Sequence, residues 1–113
     1  MRVAIGTHKD LVVTITDEDG PVNLTGARLT FMARANDTTD PVVTKSSTDN
    51  GITVSDQSTN TGEAIVHLTP TDTEGVSPGI YLYGLVSVLN GIVTPCVDRQ
   101  SIEIYQPIAE DVP

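Results

Sequence analysis

The chain has 113 residues, with six Lys and Arg against fifteen Asp and Glu, for a formal net charge of −9. That length suits one domain with a modest core and excludes a two-lobed enzyme with a cofactor cleft between its lobes. The acidity argues against nucleic acid and anionic membranes as partners, because phosphate binding needs a positive face.

The first ten residues carry an apolar stretch too short for the core of a signal peptide, and no small-residue cleavage site follows. No segment nears the roughly 18 apolar residues that span a bilayer. These features predict a soluble chain made in a cytoplasm. Val, Ile and Thr are abundant, Trp is absent and Phe occurs once, which points to strands. Residues 10–16 alternate, with Leu11, Val13 and Ile15 on one face and Val12, Thr14 and Thr16 on the other. Asp17-Glu18-Asp19-Gly20 closes this strand, its Asp-Gly pair supplying the positive φ of a tight turn, and residues 21–24 form a short edge piece. Residues 27–34 are the next strand: Leu29 and Phe31 point one way, Arg28, Thr30, Met32 and Arg34 the other. A polar loop over 35–40, a short strand over 41–45, a turn, a brief strand over 52–54 and a polar connection over 55–61 follow. Gly62 opens a strand in which Ala64, Val66 and Leu68 share a face. Pro70 and the acidic residues after it suit one helical turn within 69–75. Residues 79–89 are expected to be the longest strand and are apolar on both sides, which asks for cover by another subunit or layer. Asn90-Gly91 is the strongest hairpin signal. The return begins at Ile92 and Val93, is disturbed at Pro95 and completes over 97–105, with Ile102 and Ile104 inward. Residues 106–113, acidic and flanked by proline, read as an exit segment or docking arm after a single domain over 1–105.

Seven or eight strands at this length match an immunoglobulin domain. In Pro78-Gly79-Ile80-Tyr81-Leu82-Tyr83 the two tyrosines share a face. Tyr81 fits the role of a tyrosine corner, with its hydroxyl bonding backbone in the preceding turn, and Tyr83 stands where the second core cysteine would be. The hallmark Trp and both cysteines are missing. The expectation is an all-β, immunoglobulin-like antiparallel β-sandwich with Tyr81 as corner and Phe31, Leu68, Tyr83 and Ile104 in the core. A small closed barrel is the rival architecture. Ile65, with Ile80, Leu82, Val86 and Val88, forms either a second packing surface or part of the core.

Little chemistry is legible. Cys96 is the only cysteine, so no internal disulfide exists, and it reads as a semi-buried strand residue. Asp17, Glu18 and Asp19 offer oxygens that calcium would favour, but the EF-hand spacing with its closing bidentate Glu is missing, and a solvated hairpin turn is the reading kept. Asp37 and Asp40 flank a weaker acidic turn. His8 and His67 are the only histidines; His67 shares a face with Glu63, no further ligands stand at strand spacing, and both read as surface residues. There is no Gly-x-Ser-x-Gly elbow and no phosphate-cradling glycine loop, and Ser46, Ser47 and Ser101 are ordinary strand or turn residues. Asp and Glu are plentiful, but abundance does not place two of them across a cleft. Asn23-Leu24-Thr25 and Asn36-Asp37-Thr38 match the glycosylation pattern by chance. No catalytic, cofactor-binding or metal-binding residue is expected.

Several segments taken in order carry a resemblance. They are Asp17-Glu18-Asp19-Gly20-Pro21-Val22-Asn23-Leu24-Thr25-Gly26-Ala27, Asp40-Pro41-Val42-Val43-Thr44-Lys45-Ser46-Ser47, Gly51-Ile52-Thr53-Val54, and Ser101-Ile102-Glu103-Ile104. The most distinctive is Leu68-Thr69-Pro70-Thr71-Asp72-Thr73, followed by Pro78-Gly79-Ile80-Tyr81-Leu82-Tyr83. Over residues 9–105 the chain resembles small immunoglobulin-like virion proteins of tailed bacteriophages, related to the N-terminal β-sandwich of phage upper baseplate proteins. It departs from that pattern at Gly84, where a more polar residue is usual, and at Asp98-Arg99-Gln100, where the family has a Gly-rich stretch. The resemblance implies a non-enzymatic structural component of the virion, in the baseplate, the tail or decorating the capsid. Its partners would be other virion proteins and further copies of itself, with no cofactor, nucleic acid or membrane. An acidic surface would repel packaged DNA and suit an outer position. The alternative is a carbohydrate- or host-surface-binding β-sandwich module; a small hydrolase ranks last.

Overall fold

A computed structural model describes residues 1–36 and 38–108, with only the backbone of Asp98. Asp37, in the second acidic turn and the second glycosylation pattern, and residues 109–113 of the expected arm lie outside the described residues. In chain order the elements are β1 (Arg2–Ala4), β2 (Lys9–Thr14), β3 (Thr16–Asp17), β4 (Gly20–Pro21), β5 (Arg28–Arg34), β6 (Val43–Ser46), β7 (Ile52–Val54), β8 (Glu63–Leu68), a four-residue helical turn α1 (Pro70–Thr73), β9 (Gly79–Leu89) and β10 (Ile92–Tyr105). The chain is all-β. One sheet runs β1-β10-β9-β5-β6, a second runs β2-β8-β7, and β3 and β4 form a small separate hairpin.

The inward positions follow the alternation of the sequence. β5 contributes Leu29, Phe31 and Ala33, β8 contributes Ala64, Val66 and Leu68, and β10 contributes Ile102 and Ile104, all buried in one cluster that also holds Val3, Leu11 and Leu85. Residues from both main sheets thus share one core. Phe31, Leu68 and Ile104 are buried in the core and Tyr81 is buried beside them, while Tyr83, also expected in the core, is only half-buried and packs at its margin, its ring 5.5 Å from that of Phe31. Tyr83 points inward like Tyr81, but the register of β10 slips opposite it, between Val97 and Gln100, and leaves its ring partly open.

Asn90 (φ 53°) and Gly91 (φ 79°) are both left-handed, the backbone a two-residue hairpin of type I′ requires, and Leu89 pairs with Ile92 across it. The longest strand is β10, with 14 residues, rather than β9, with 11. Pro95 does not interrupt β10. It sits on a stretch flanked by β9 alone, since β1 joins only at Glu103 to Tyr105, and a bulge follows it at once. Edge strands and bulges are where a strand tolerates a missing N–H. Strand β1 was not expected. It pairs parallel with β10, bringing Val3 beside Ile104, and Arg2 both bonds Glu103 at 2.7 Å and lies over the Tyr105 ring at 4.1 Å.

The Tyr81 hydroxyl donates to the Ser77 carbonyl at 2.6 Å, so the corner bond is made. Tyr81→Phe keeps the packing and removes this bond; urea denaturation should show a loss of about 1 kcal/mol, and no loss would mean the corner is incidental.

The α1 turn is capped by its own acid. Asp72 Oδ2 accepts from the Thr69 N–H at 2.7 Å and from Lys45 Nζ at 2.9 Å, and the Lys45 and Asp72 side chains are only 13% and 17% exposed. Burial alone would raise the Asp72 pKa, but the Thr69 N–H, Lys45 and the Thr69 hydroxyl together hold it below the ordinary carboxylate value. Asp72→Ala removes a cap and strands a mostly buried lysine, so at neutral pH it should cost about 2 kcal/mol. The folded state binds this proton more weakly than the unfolded chain. Its contribution is therefore complete above the unfolded pKa of about 3.9 and is lost as the pH falls through the lower folded value. Denaturation curves of both proteins at neutral and acidic pH check this: the gap should narrow in acid, and a pH-independent gap would contradict it.

Candidate functional site

The outer face of the five-stranded sheet is one candidate surface. The register sets Thr30 opposite Val86, Met32 opposite Gly84 and Arg34 opposite Leu82. Gly84 adds no side chain between Met32 and its neighbours, and a depression of about 350 Å³ opens there. Leu82, Val86 and Val88 are half-buried along this face and Ile80 is 63% exposed. Arg34 is held in place at the rim by donating from Nη1 to the Thr39 carbonyl at 2.8 Å. The face therefore combines an apolar strip with a fixed cation.

Ile65 does not belong to it. It stands on the three-stranded sheet, between Val12 and Thr53 in the register, so the five apolar residues read together in the sequence split between two sheets. A second depression, of about 360 Å³, lies between Ile15 and Val22 on one side and Leu89, Ile92 and Cys96 on the other. Ile92 and Val93 at the hairpin are 68% and 63% exposed, and Cys96 is a half-buried free thiol.

The acidic turn keeps one of its carboxylates occupied locally: Asp17 Oδ1 accepts from the Asp19 N–H at 2.8 Å, and Asp17, Glu18 and Asp19 are all exposed.

A polar cluster on the three-stranded sheet went unread in the sequence. Antiparallel pairing puts Asp10 of β2 directly opposite His67 of β8, whereas Glu63, the expected neighbour of His67, faces Thr14 at the far end. Asp10 Oδ1 is 2.8 Å from His67 Nδ1 and 2.8 Å from His8 Nε2. Thr53 of β7 completes the row, its Oγ1 2.7 Å from His67 Nε2. The hydrogen bond to His67 holds the Asp10 carboxyl below its usual pKa against the opposing effect of desolvation, with His8 adding to the lowering. These three donors are the one such group among the described residues that could hold a metal ion. The sequence offered half the signal: His8 and Asp10 stand two apart, as same-face residues of an extended chain do.

Compared with protein-family models, curated proteins and solved structures, the chain matches none of them. Among the described residues no helix is long and apolar enough to cross a membrane.

Proposed function

We propose that the chain is an immunoglobulin-like structural component of a tailed-phage virion that assembles as a homo-oligomer through the outer face of its five-stranded sheet. What supports the sandwich reading is strand order. In immunoglobulin lettering β2, β8 and β7 take the places of strands B, E and D, and β10, β9, β5 and β6 those of G, F, C and C′, with a tyrosine corner at the start of the F strand.

The observation that carries the assembly reading is the apolar strip of exposed Ile80 with Leu82, Val86 and Val88, which the described chain leaves only half-buried beside the depression at Gly84. A strand that is apolar on both faces normally has cover on both. A second copy meeting the first about a two-fold axis would supply that cover with a self-complementary patch. The position on a virion rests on the resemblance of residues 9–105 and suits a net charge of −9, which keeps the surface away from packaged DNA.

Sugar binding is the weaker reading, because it draws on exposed aromatic faces and this chain spends them elsewhere. Phe31 and Tyr81 are buried, Tyr83 packs on Phe31, and Tyr105 is covered by the Arg2 guanidinium. Mass spectrometry of gradient-purified phage particles from a host carrying this gene tests the placement. A fixed stoichiometry with the other particle proteins is expected; absence from the particles would overturn it.

A further inference from the structure

We propose that His8, Asp10 and His67 form a surface site for Zn²⁺, with His67 binding through Nδ1 and His8 through Nε2. Their ligand atoms already converge, all lying within 4.8 Å of one another. Zinc bonds of about 2.0–2.2 Å need donor atoms about 3.4 Å apart in a tetrahedron. The two nitrogens sit 2.8 Å from the carboxylate oxygen, so a small outward rotation of the rings admits the ion.

The sheet preorganises the set. Asp10 and His67 are fixed by direct cross-strand pairing, and Thr53 holds the far nitrogen of His67. Without metal, His8 Nε2 and His67 Nδ1 direct their N–H groups at Asp10 Oδ1, and His67 Nε2 shares a hydrogen bond with Thr53 Oγ1. With metal, those two nitrogens present their lone pairs to the ion, and His67 Nε2–H donates to Thr53 Oγ1. Thr53 then becomes the outer partner that orients a metal-bound histidine. The donor set selects the metal class: two imidazoles and one carboxylate favour zinc and its transition-metal neighbours over calcium or magnesium, which prefer all-oxygen cages. The His8 and Asp10 side chains are 57% and 48% exposed, so an ion can reach the site and keep water at its remaining positions.

Calorimetric titration of the full chain with ZnCl₂, in a non-coordinating buffer, tests the site. Saturable one-to-one binding is expected, at least tenfold weaker in His8→Ala, whose side chain is too exposed to matter for folding. Thr53→Val should weaken it by roughly tenfold, the usual effect of losing an outer partner. Calcium should not compete. Long-range ¹H–¹⁵N correlation spectra should place zinc on Nδ1 of His67 and Nε2 of His8. Absence of saturable binding, the opposite nitrogens, binding that survives the His8→Ala/His67→Ala double variant, or binding that disappears in Cys96→Ser would each overturn the proposal.

Discussion

Phe31→Ala should destabilise the protein by about 3–5 kcal/mol, the range for deleting a buried aromatic side chain from a core. Phe31 is 2% exposed in the middle of β5, with Ala33 and Leu29 beside it on the same face and β9 and β6 on either side. Its ring meets that of Tyr83 at 5.5 Å and 33°. The ring beside it is that of half-buried Tyr83, whose polar hydroxyl makes it a poor filler for an apolar space. A domain of this size has a total stability of about 5–15 kcal/mol, so the variant is left with a small margin. Calorimetry should show a midpoint lower by roughly 15 °C. Phe31→Leu, which keeps most of the volume, should lose much less. A loss under about 1 kcal/mol for the alanine variant would mean that the core does not close around this ring.

Gln57→Ala should cost about 3 kcal/mol although it removes no apolar side chain. Gln57 lies in the loop between β7 and β8 and is 9% exposed. Its Oε1 accepts from the backbone N–H groups of Leu24 and Gly62 at 3.0 and 2.8 Å, and its Nε2 donates to the carbonyls of Ser55 and Glu63 at 2.9 and 3.2 Å. One amide therefore ties three chain segments together. Truncation leaves buried backbone donors without partners, each costing about 1–3 kcal/mol. The neighbourhood cannot shift to compensate. Gly62 (φ 83°) passes so close to Ile15, between β2 and β3, that a Cβ there would lie 2.6 Å from the Ile15 carbonyl, and the Gly62 carbonyl itself accepts from the Ile15 N–H at 2.8 Å. Gln57→Glu separates the roles: it keeps the acceptor but loses the donor and buries a charge, so it should also destabilise. Urea denaturation of the three proteins decides; an alanine variant within about 0.5 kcal/mol of the parent would show that water replaces the amide without loss.

These two residues mark what was legible and what was not. Phe31 could be read as core because β5 is an antiparallel strand with one buried face, and such strands print their burial as strict alternation. The same holds for Ala64, Val66 and Leu68 on β8. The β9–β10 turn could be read because Asn90-Gly91 supplies two positive φ angles in adjacent residues, and the Tyr81 bond because its acceptor lies four residues away. Gln57 could not, since its partners Leu24 and Gly62 come together only in the folded chain and the loop around it is uniformly polar. The same reason hid β1, whose three residues find their partner strand at the other end of the sequence, and the His8–Asp10–His67 cluster, which depends on the β2–β8 register. Pro95 misled because its cost depends on whether another strand needs its N–H, which is set by sheet order.

The proposed assembly runs through the face around Leu82, and mass-resolved light scattering of the parent chain and of Leu82→Glu tests it directly. Leu82 is half-buried on the outer face and outside the buried core cluster, so the fold should tolerate the change at a cost of about 1 kcal/mol. The parent should scatter as two or more whole copies of the 12.0 kDa chain, and Leu82→Glu, which sets a charge in the apolar strip of every copy, as the single chain. A parent that runs as a 12.0 kDa monomer, or a Leu82→Glu variant that keeps the parent's mass, would contradict assembly through this face.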